Sequence, residues 1–195
     1  MIKAILDVLP EAKFINLTRD GRNVVASLLK GNRTWLSNIS KAASLWSTSI
    51  MTARYWNNQL DSDRFHRIYF EDMINSPRQT VSRLCGILGL QFQEELLNNI
   101  HQVDSSFSAA DGFDEATLHR YKENLNAREL LVSEQIMGPE LRKEGYSLKG
   151  VGELSWLWKQ YFNCYKYWFL GKENLKHWIR NQGLFGHVHW IFRNT

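Results

Sequence analysis

This chain is poor in cysteine, and its two cysteines lie far apart in the sequence. Its 195 residues contain only Cys85 and Cys164. Two distant cysteines do not form the closely spaced, even-numbered set that marks a disulfide scaffold, and no His and Cys residues at metal-ligand spacing accompany them. Cys85 falls on the apolar face of a predicted helix, which favours a buried free thiol. We therefore predict neither a disulfide framework nor a metal site.

The chain also lacks a secretory leader and a long hydrophobic run. The segment 1–9 carries Lys3 and Asp7 among its apolar residues and has no small-residue cleavage pattern. Towards the C-terminus the longest uncharged stretch, near 182–191, is about ten residues, too short to span a bilayer. The composition, 44% hydrophobic and 23% charged, is that of a globular protein rather than a disordered one. These features predict a cytoplasmic location, with membrane association resting on the C-terminal part alone.

The net charge of +4 is unevenly distributed. Residues 1–150 contain 18 basic and 18 acidic side chains, whereas residues 151–195 contain six basic and two acidic ones and five of the eight tryptophans. We predict a domain over 1–148 and a helical, basic, aromatic-rich extension over 149–195. Trp and Tyr prefer the lipid headgroup region and lysines favour anionic lipid, so peripheral membrane contact through 151–195 is one interpretation. Packing of these aromatics on the domain or on a partner chain is the alternative, and the charge excess is too small to favour nucleic acid.

The most informative segment predicts a strand, a tight turn and a helix. Residues 13–18 suit a buried parallel strand, Asp20 suits a helix N-cap, and apolar residues then repeat at helical spacing. In such units ligands sit beyond the carboxyl end of the strand, where Arg19 stands. An arginine fork matches phosphate oxygens, and Ser27 could hold the same phosphate. The alternative is that Arg19 and Arg22 only make surface ion pairs with Asp20.

A second strand is predicted at 66–70, and both predicted strands look fully buried. Two parallel strands do not make a stable sheet, so we expect a central strand to be missing from this chain. Helices are predicted at about 38–60, from Ser76-Pro77 to Gly89 and from Asn126 to about Met137, and a loop is predicted at 104–115. Glu71 and Asp72 follow the second strand, and we favour structural roles for both because adjacent residues on a strand face opposite ways.

The turn from Arg19 to Arg22, with a serine eight residues after Arg19, resembles the sulfotransferase family. The resemblance continues in order over roughly residues 1–146. Its further pieces are Trp46 in the long helix, Ile68 to Met73, Ser76-Pro77, Leu84 to Leu90 and Gly145-Tyr146. It implies an α/β domain with a parallel sheet flanked by helices, similar to P-loop NTPases. It also implies that Arg19 and Ser27 bind the 3′-phosphate of PAPS (3′-phosphoadenosine 5′-phosphosulfate), from which the sulfuryl group passes to a hydroxyl or amine.

The chain departs from the family pattern at Phe70 and in lacking a phosphate loop, and it keeps a further similarity at residues 119–125. Phe70 stands where many members have tyrosine, so a hydroxyl near the adenine is missing, although the ring could still stack. Residues 119–125 are similar to a basic loop that contacts the cofactor in some members, which makes Arg120 and Lys122 further candidates. No Lys-containing phosphate loop occurs anywhere, and no catalytic base can be assigned.

We therefore interpret the chain as the C-terminal part of a sulfotransferase domain, with Met1 as an internal start. We expect it to bind PAP, the desulfated product, weakly and without turnover. Two other interpretations stay open at this point: a nucleotide kinase-like phosphotransferase, and a non-catalytic membrane or partner-binding protein that acts through its aromatic tail. The acceptor and the oligomeric state are not predicted.

Overall fold

The computed structural model describes residues 2–30, 38–98 and 115–149, together with Gln160, Cys164 and Gly171. The predictions for the loop before residue 115 and for the extension 149–195 lie almost entirely outside these residues. The described elements alternate helices with two strands. They are α1 (Ile2–Val8), β1 (Phe14–Thr18), α2 (Gly21–Lys30), α3 (Ile39–Gln59), β2 (Phe65–Tyr69), α4 (Phe70–Asn75), α5 (Pro77–Leu88), α6 (Glu95–Asn98), a 3₁₀ turn (Glu115–Leu118), α7 (Tyr121–Asn124) and α8 (Ala127–Lys143).

The two strands pair in parallel, as the sequence predicts. Their register runs from Phe14 opposite Phe65 to Thr18 opposite Tyr69. The prediction that both are fully buried is wrong, because Ile15 and Leu17 of β1 are 42% and 55% exposed and β2 buries only Phe65 and Ile68. Within the described residues β1 has β2 as its only strand neighbour, so apolar composition alone does not bury it.

The second strand ends one residue earlier than predicted, and this changes the setting of Glu71. Phe70 is the first residue of α4, so Glu71 and Asp72 lie in the first turn of a helix rather than on a strand. The argument from alternating strand side chains therefore does not apply to them. Acidic residues are favourable in a first helical turn, where backbone N–H groups are unpaired.

The core lies where α2 packs on α3 and α3 packs on α8. Its centre consists of fully or nearly fully buried side chains, among them Val25, Ala42, Trp46, Met137 and Leu141. The small residues at the start of α3 let the helices approach closely. This packing fixes α2, and hence the turn that precedes it, against the rest of the domain.

Helix α8 extends further than the sequence predicts. Asn126 caps its start through a complete capping box with Glu129, as expected of that residue type. The predicted end near Met137 is wrong, because the helix continues through Pro139 to Lys143. A proline removes one helical hydrogen bond, but burial of Met137 and Leu141 on either side of it holds the helix together.

Two further features concern the helices and the cysteines. No described helix combines the length and the apolar content that crossing a bilayer requires. Cys85 is free and buried, as predicted, and Cys164 is free and exposed.

Candidate phosphate-binding site

The parallel register brings Arg19 and Phe70 together. Thr18 pairs with Tyr69 at the ends of the strands, so the next residue of each chain segment emerges at the same edge of the sheet. The Arg19 guanidinium lies over the Phe70 ring, with 4.2 Å from its carbon to the ring centroid. At this distance the positive charge is attracted to the electron-rich face of the ring. Phe70, which follows β2, therefore holds the side chain of Arg19, which follows β1.

Further contacts fix Arg19 at both ends. Its Nη2 donates a hydrogen bond of 2.7 Å to the carbonyl oxygen of Thr117, in the 3₁₀ turn. Its own carbonyl oxygen accepts a hydrogen bond of 3.0 Å from the indole Nε1 of Trp46. The Nε of Arg19 is buried and has no hydrogen-bond partner within the described part of the chain. A half-buried, permanently charged group thus keeps one donor unused.

Arg22 plays a different part, which the sequence did not reveal. Its guanidinium hydrogen-bonds both carboxylate oxygens of Asp20 and, at 2.7 Å, Oε1 of Glu134. All three side chains are buried, so the interpretation of a surface ion pair with Asp20 is wrong in its location. Burial by itself lowers the pKa of Arg22, but hydrogen bonds and attraction from Asp20 and Glu134 outweigh it, and the pKa is raised overall. Arg22 is a structural cation.

Asp20 caps α2, as predicted. Its Oδ1 accepts a 2.9 Å hydrogen bond from the backbone N–H of Arg22 in the first turn. The Gly21 that follows is required for packing, because a Cβ there would lie 2.7 Å from Trp46 and 2.8 Å from Met137. The start of α2 is thereby pressed against the core.

Asn23 ties a distant segment to this turn. Its Nδ2 donates to the carbonyl oxygen of Leu118, and its Oδ1 accepts from the backbone N–H of Tyr121. Leu118 and Tyr121 bracket Arg120, so the clamp fixes the backbone on both sides of that arginine. Asn23 is 3% exposed, and because no local pattern in the sequence shows this burial, its role is seen only in the fold.

The charges of Arg120 and Arg19 repel each other. Burial is the main cause that lowers the pKa of Arg19, Glu71 opposes it, and repulsion from Arg120 lowers the pKa further. Repulsion between these two positive charges raises the free energy of the folded state. An anion between them would relieve that repulsion.

Ser27 lies on the side of α2 that faces the same segment. Asn23, Ser27 and Lys30 recur at helical spacing and so share one face. Asn23 contacts residues 118 and 121, and Lys30 Nζ lies 3.5 Å from Oδ1 of Asn124. Ser27 stands between these two contacts and is exposed. Its hydroxyl is therefore accessible beside the segment that carries Arg120.

Lys122 is the least supported of the four predicted residues. It lies exposed in α7, and within the described residues no contact joins its side chain to Arg19 or Ser27. Arg19 and Arg120 thus interact through their charges, and Ser27 lies on the face of α2 next to the same segment, whereas Lys122 contacts neither Arg19 nor Ser27 among the described residues.

Glu71 connects the site to the end of the domain. Its Oε1 accepts from the backbone N–H of Asp20 at 2.9 Å, and its Oε2 accepts from the hydroxyl of Tyr146 at 3.0 Å. Burial raises the pKa of Tyr146 well above its usual range, and the Glu71 charge raises it further, so this phenol stays protonated. The preference for a structural role of Glu71 is consistent with these two contacts.

A cavity of about 490 Å³ opens next to this cluster. Asp20 and Arg22 contribute to its lining, with Glu71 and Tyr146 on one side and Glu115 and His119 on the other. Among the described residues that line it, neither Arg19 nor Ser27 is found. The cavity is therefore a neighbour of the arginine pair rather than part of it.

Comparison with known proteins shows that this chain is similar to sulfotransferases. A family model described as "Sulfotransferase family" matches residues 1–94, which include Arg19, Ser27, Phe70 and Glu71. The match covers just under half of this chain. A Caenorhabditis elegans protein named for protein-tyrosine sulfotransferase activity is 25% identical over 130 residues, which cover 62% of this chain and 47% of that protein.

The fold is that of sulfotransferase domains. The sulfotransferase domain of the Synechococcus PCC 7002 olefin synthase superposes with a TM-score of 0.58 at 24% identity, over 71% of this chain and 50% of that domain. The sulfotransferase domain from the curacin biosynthetic pathway gives a TM-score of 0.53 at 22% identity, over 71% of this chain and 55% of that domain. The chain thus spans about half the length of the sulfotransferases that it matches.

Proposed function

We propose that this sulfotransferase segment binds the 3′-phosphate of PAPS between Arg19 and Arg120, with Ser27 as a third ligand. The observation that carries the proposal is the setting of Arg19, which lies at the carboxyl end of β1, is held by Phe70 and Thr117, and keeps one buried N–H without a partner among the described residues. The clamp by Asn23 fixes the backbone on both sides of Arg120, whose charge repels that of Arg19. A phosphate monoester carries roughly −1.5 to −2 charges at pH 7, which suits a site with two guanidinium groups.

The donor set fits a phosphate in its chemistry as well as its charge. Guanidinium groups present planar N–H forks to phosphate oxygens, and the Arg19 Nε is a buried donor without a partner among the described residues. A serine hydroxyl can donate to a third oxygen. The site also lies at the carboxyl end of the parallel strands, where ligands of α/β folds bind.

PAPS would supply the sulfuryl group of the reaction, and its acceptor would be a hydroxyl or an amine. The residues of this chain would hold and orient the nucleotide through its 3′-phosphate. The worm relative's name makes a tyrosine hydroxyl the first acceptor to test. We expect no sulfuryl transfer by the purified 195-residue chain, because its sequence contains no Lys-containing phosphate loop to stabilise the leaving group.

The test compares two ligands that differ only in the 3′-phosphate, PAP and AMP. Isothermal titration of the full 195-residue chain is expected to show tighter binding of PAP. Arg19→Gln and Arg120→Gln should each reduce that preference by about 10-fold or more, since a hydrogen bond between charged groups contributes roughly 1.5–3 kcal/mol. Ser27→Ala should reduce it by only about 2- to 10-fold, because its hydroxyl is neutral.

Arg128→Gln is the matched control, since Arg128 is an exposed arginine in the first turn of α8. It changes the net charge by the same amount and should leave the preference for PAP unchanged. Equal binding of PAP and AMP by the wild-type chain would refute the proposal. Tighter binding of ATP than of PAP would instead favour a phosphotransferase.

A further inference from the structure

The strand register places Phe70 next to Arg19. It is the first residue after β2, and it stands beside Arg19, the first residue after β1. The guanidinium covers one face of the ring at 4.2 Å. That face is therefore not free to stack on an adenine, the role that the sequence suggested for this ring.

The ring and the Thr117 carbonyl together restrict the Arg19 side chain. A hydrogen bond of 2.7 Å joins Arg19 Nη2, at the edge of the guanidinium, to the Thr117 carbonyl oxygen. The Phe70 ring contacts one face of the guanidinium. An arginine side chain loses considerable rotamer freedom when a ligand orders it. A side chain that is already ordered loses less, and the ligand then binds more tightly.

We infer that Phe70 is a positioning residue for Arg19. The Phe70 ring holds the Arg19 guanidinium in the orientation that binds a phosphate, and it thereby determines selectivity for nucleotides with a 3′-phosphate. The inference rests on the proposed function of Arg19. It assigns Phe70 no contact with the nucleotide. Any aromatic ring of similar size should serve, whereas an aliphatic side chain should not.

The experiment measures the affinities of the full 195-residue chain for PAP and for AMP in Phe70 variants. Phe70→Leu removes the ring but keeps an apolar side chain, and should reduce the preference for PAP by about 3- to 10-fold, the range expected for one partly desolvated cation–π contact. Phe70→Tyr keeps the ring and should retain the preference. If Phe70→Leu fails to fold, as judged by circular dichroism, Phe70→Met replaces it.

A matched control exists elsewhere in the chain. The guanidinium of Arg78 lies 5.7 Å from the ring centroid of Phe92, so Phe92→Leu removes a contact of the same type away from the site. This variant should bind both nucleotides like the wild-type chain. An NMR readout tests the geometry itself: the Arg19 Nε–H resonance should be shifted upfield by the ring in the wild type and in Phe70→Tyr, and should lose that shift in Phe70→Leu.

The outcomes separate this inference from the proposed function. A wild-type preference for PAP that Phe70→Leu retains would overturn the role of Phe70 and leave the role of Arg19 standing. An Arg19 resonance that does not respond to Phe70→Leu would also overturn it. A wild-type chain without preference for PAP would overturn the proposed function, and the role of Phe70 in selectivity with it.

Discussion

Replacing Gly21 by alanine should destabilise the domain, although alanine is the better helix former. A Cβ at this position would lie 2.7 Å from Trp46 and 2.8 Å from Met137, and both distances are much shorter than ordinary contacts of 3.4–4 Å. Overpacking of this kind costs about 1–3 kcal/mol. A displaced Trp46 would also weaken its bond to the Arg19 carbonyl oxygen, for a further 0.5–1.5 kcal/mol or so.

The intrinsic preference of a helix for alanine over glycine offsets roughly 0.5–1 kcal/mol of this cost. The net expectation for Gly21→Ala is therefore a loss of about 0.5–4 kcal/mol in the free energy of unfolding, measured by urea denaturation. Gly86→Ala in α5 is the matched control, because nothing lies within 4 Å of its Cβ. It should leave stability unchanged or raise it by up to about 1 kcal/mol. A Gly21→Ala domain as stable as the wild type would refute the packing account of this turn.

Three further changes test other parts of the account. Glu134→Gln removes the charge that Arg22 and the backbone N–H of Lys149 share, and should lower the free energy of unfolding by about 1–3 kcal/mol in urea; no change would mean that the buried network adds nothing. Asn126→Ala removes the α8 capping box and should cost about 1 kcal/mol by the same measurement, whereas a neutral result would exclude a role for the cap. The pKa of Tyr146 is raised on folding, so its contribution to stability is complete below pH 10 and is lost as the pH rises beyond it. Thermal unfolding between pH 8 and 11 should therefore show a shallower alkaline loss in Tyr146→Phe than in the wild type, and parallel curves would contradict this.

Local features of the sequence predicted local structure well. Asp20 caps α2, and Asn126 caps the start of α8. Helix α5 begins at Pro77 and is capped at its end by Gly89, both as expected. Each of these depends on residues within one helical turn of each other, so the sequence contains the whole interaction. The order of strands and helices follows from the same short-range patterns.

Burial was harder to predict, since it depends on neighbours that the pattern does not specify. Ile15 and Leu17 have the apolar character of a buried strand, yet their exposure is decided by which elements cover β1. The same limit applies to Pro139, which ends a helix by local rules but is carried through α8 by the packing on α3.

The site itself could be predicted only in part. Arg19 and Ser27 share one local motif, and the sequence singled out both as candidates through it. The bond from Arg19 to Thr117 joins residues 98 apart, and the one from Tyr146 to Glu71 joins residues 75 apart. No periodicity connects such residues, so the roles of Asn23, Arg22 and Glu71 appear only in the fold. The resemblance of residues 119–125 to a family loop singled out Arg120, and only the fold shows that Asn23 clamps the backbone on both sides of it.

The central claim is that the two arginines bind the 3′-phosphate of the nucleotide, and phosphorus NMR tests it most directly. The two phosphates of PAP can be followed separately as the 195-residue chain is added. We expect the 3′-phosphate signal to shift and broaden, and this response to be lost in Arg19→Gln and in Arg120→Gln. A response confined to the 5′-phosphate, or a 3′-phosphate response that survives in both variants, would contradict the account.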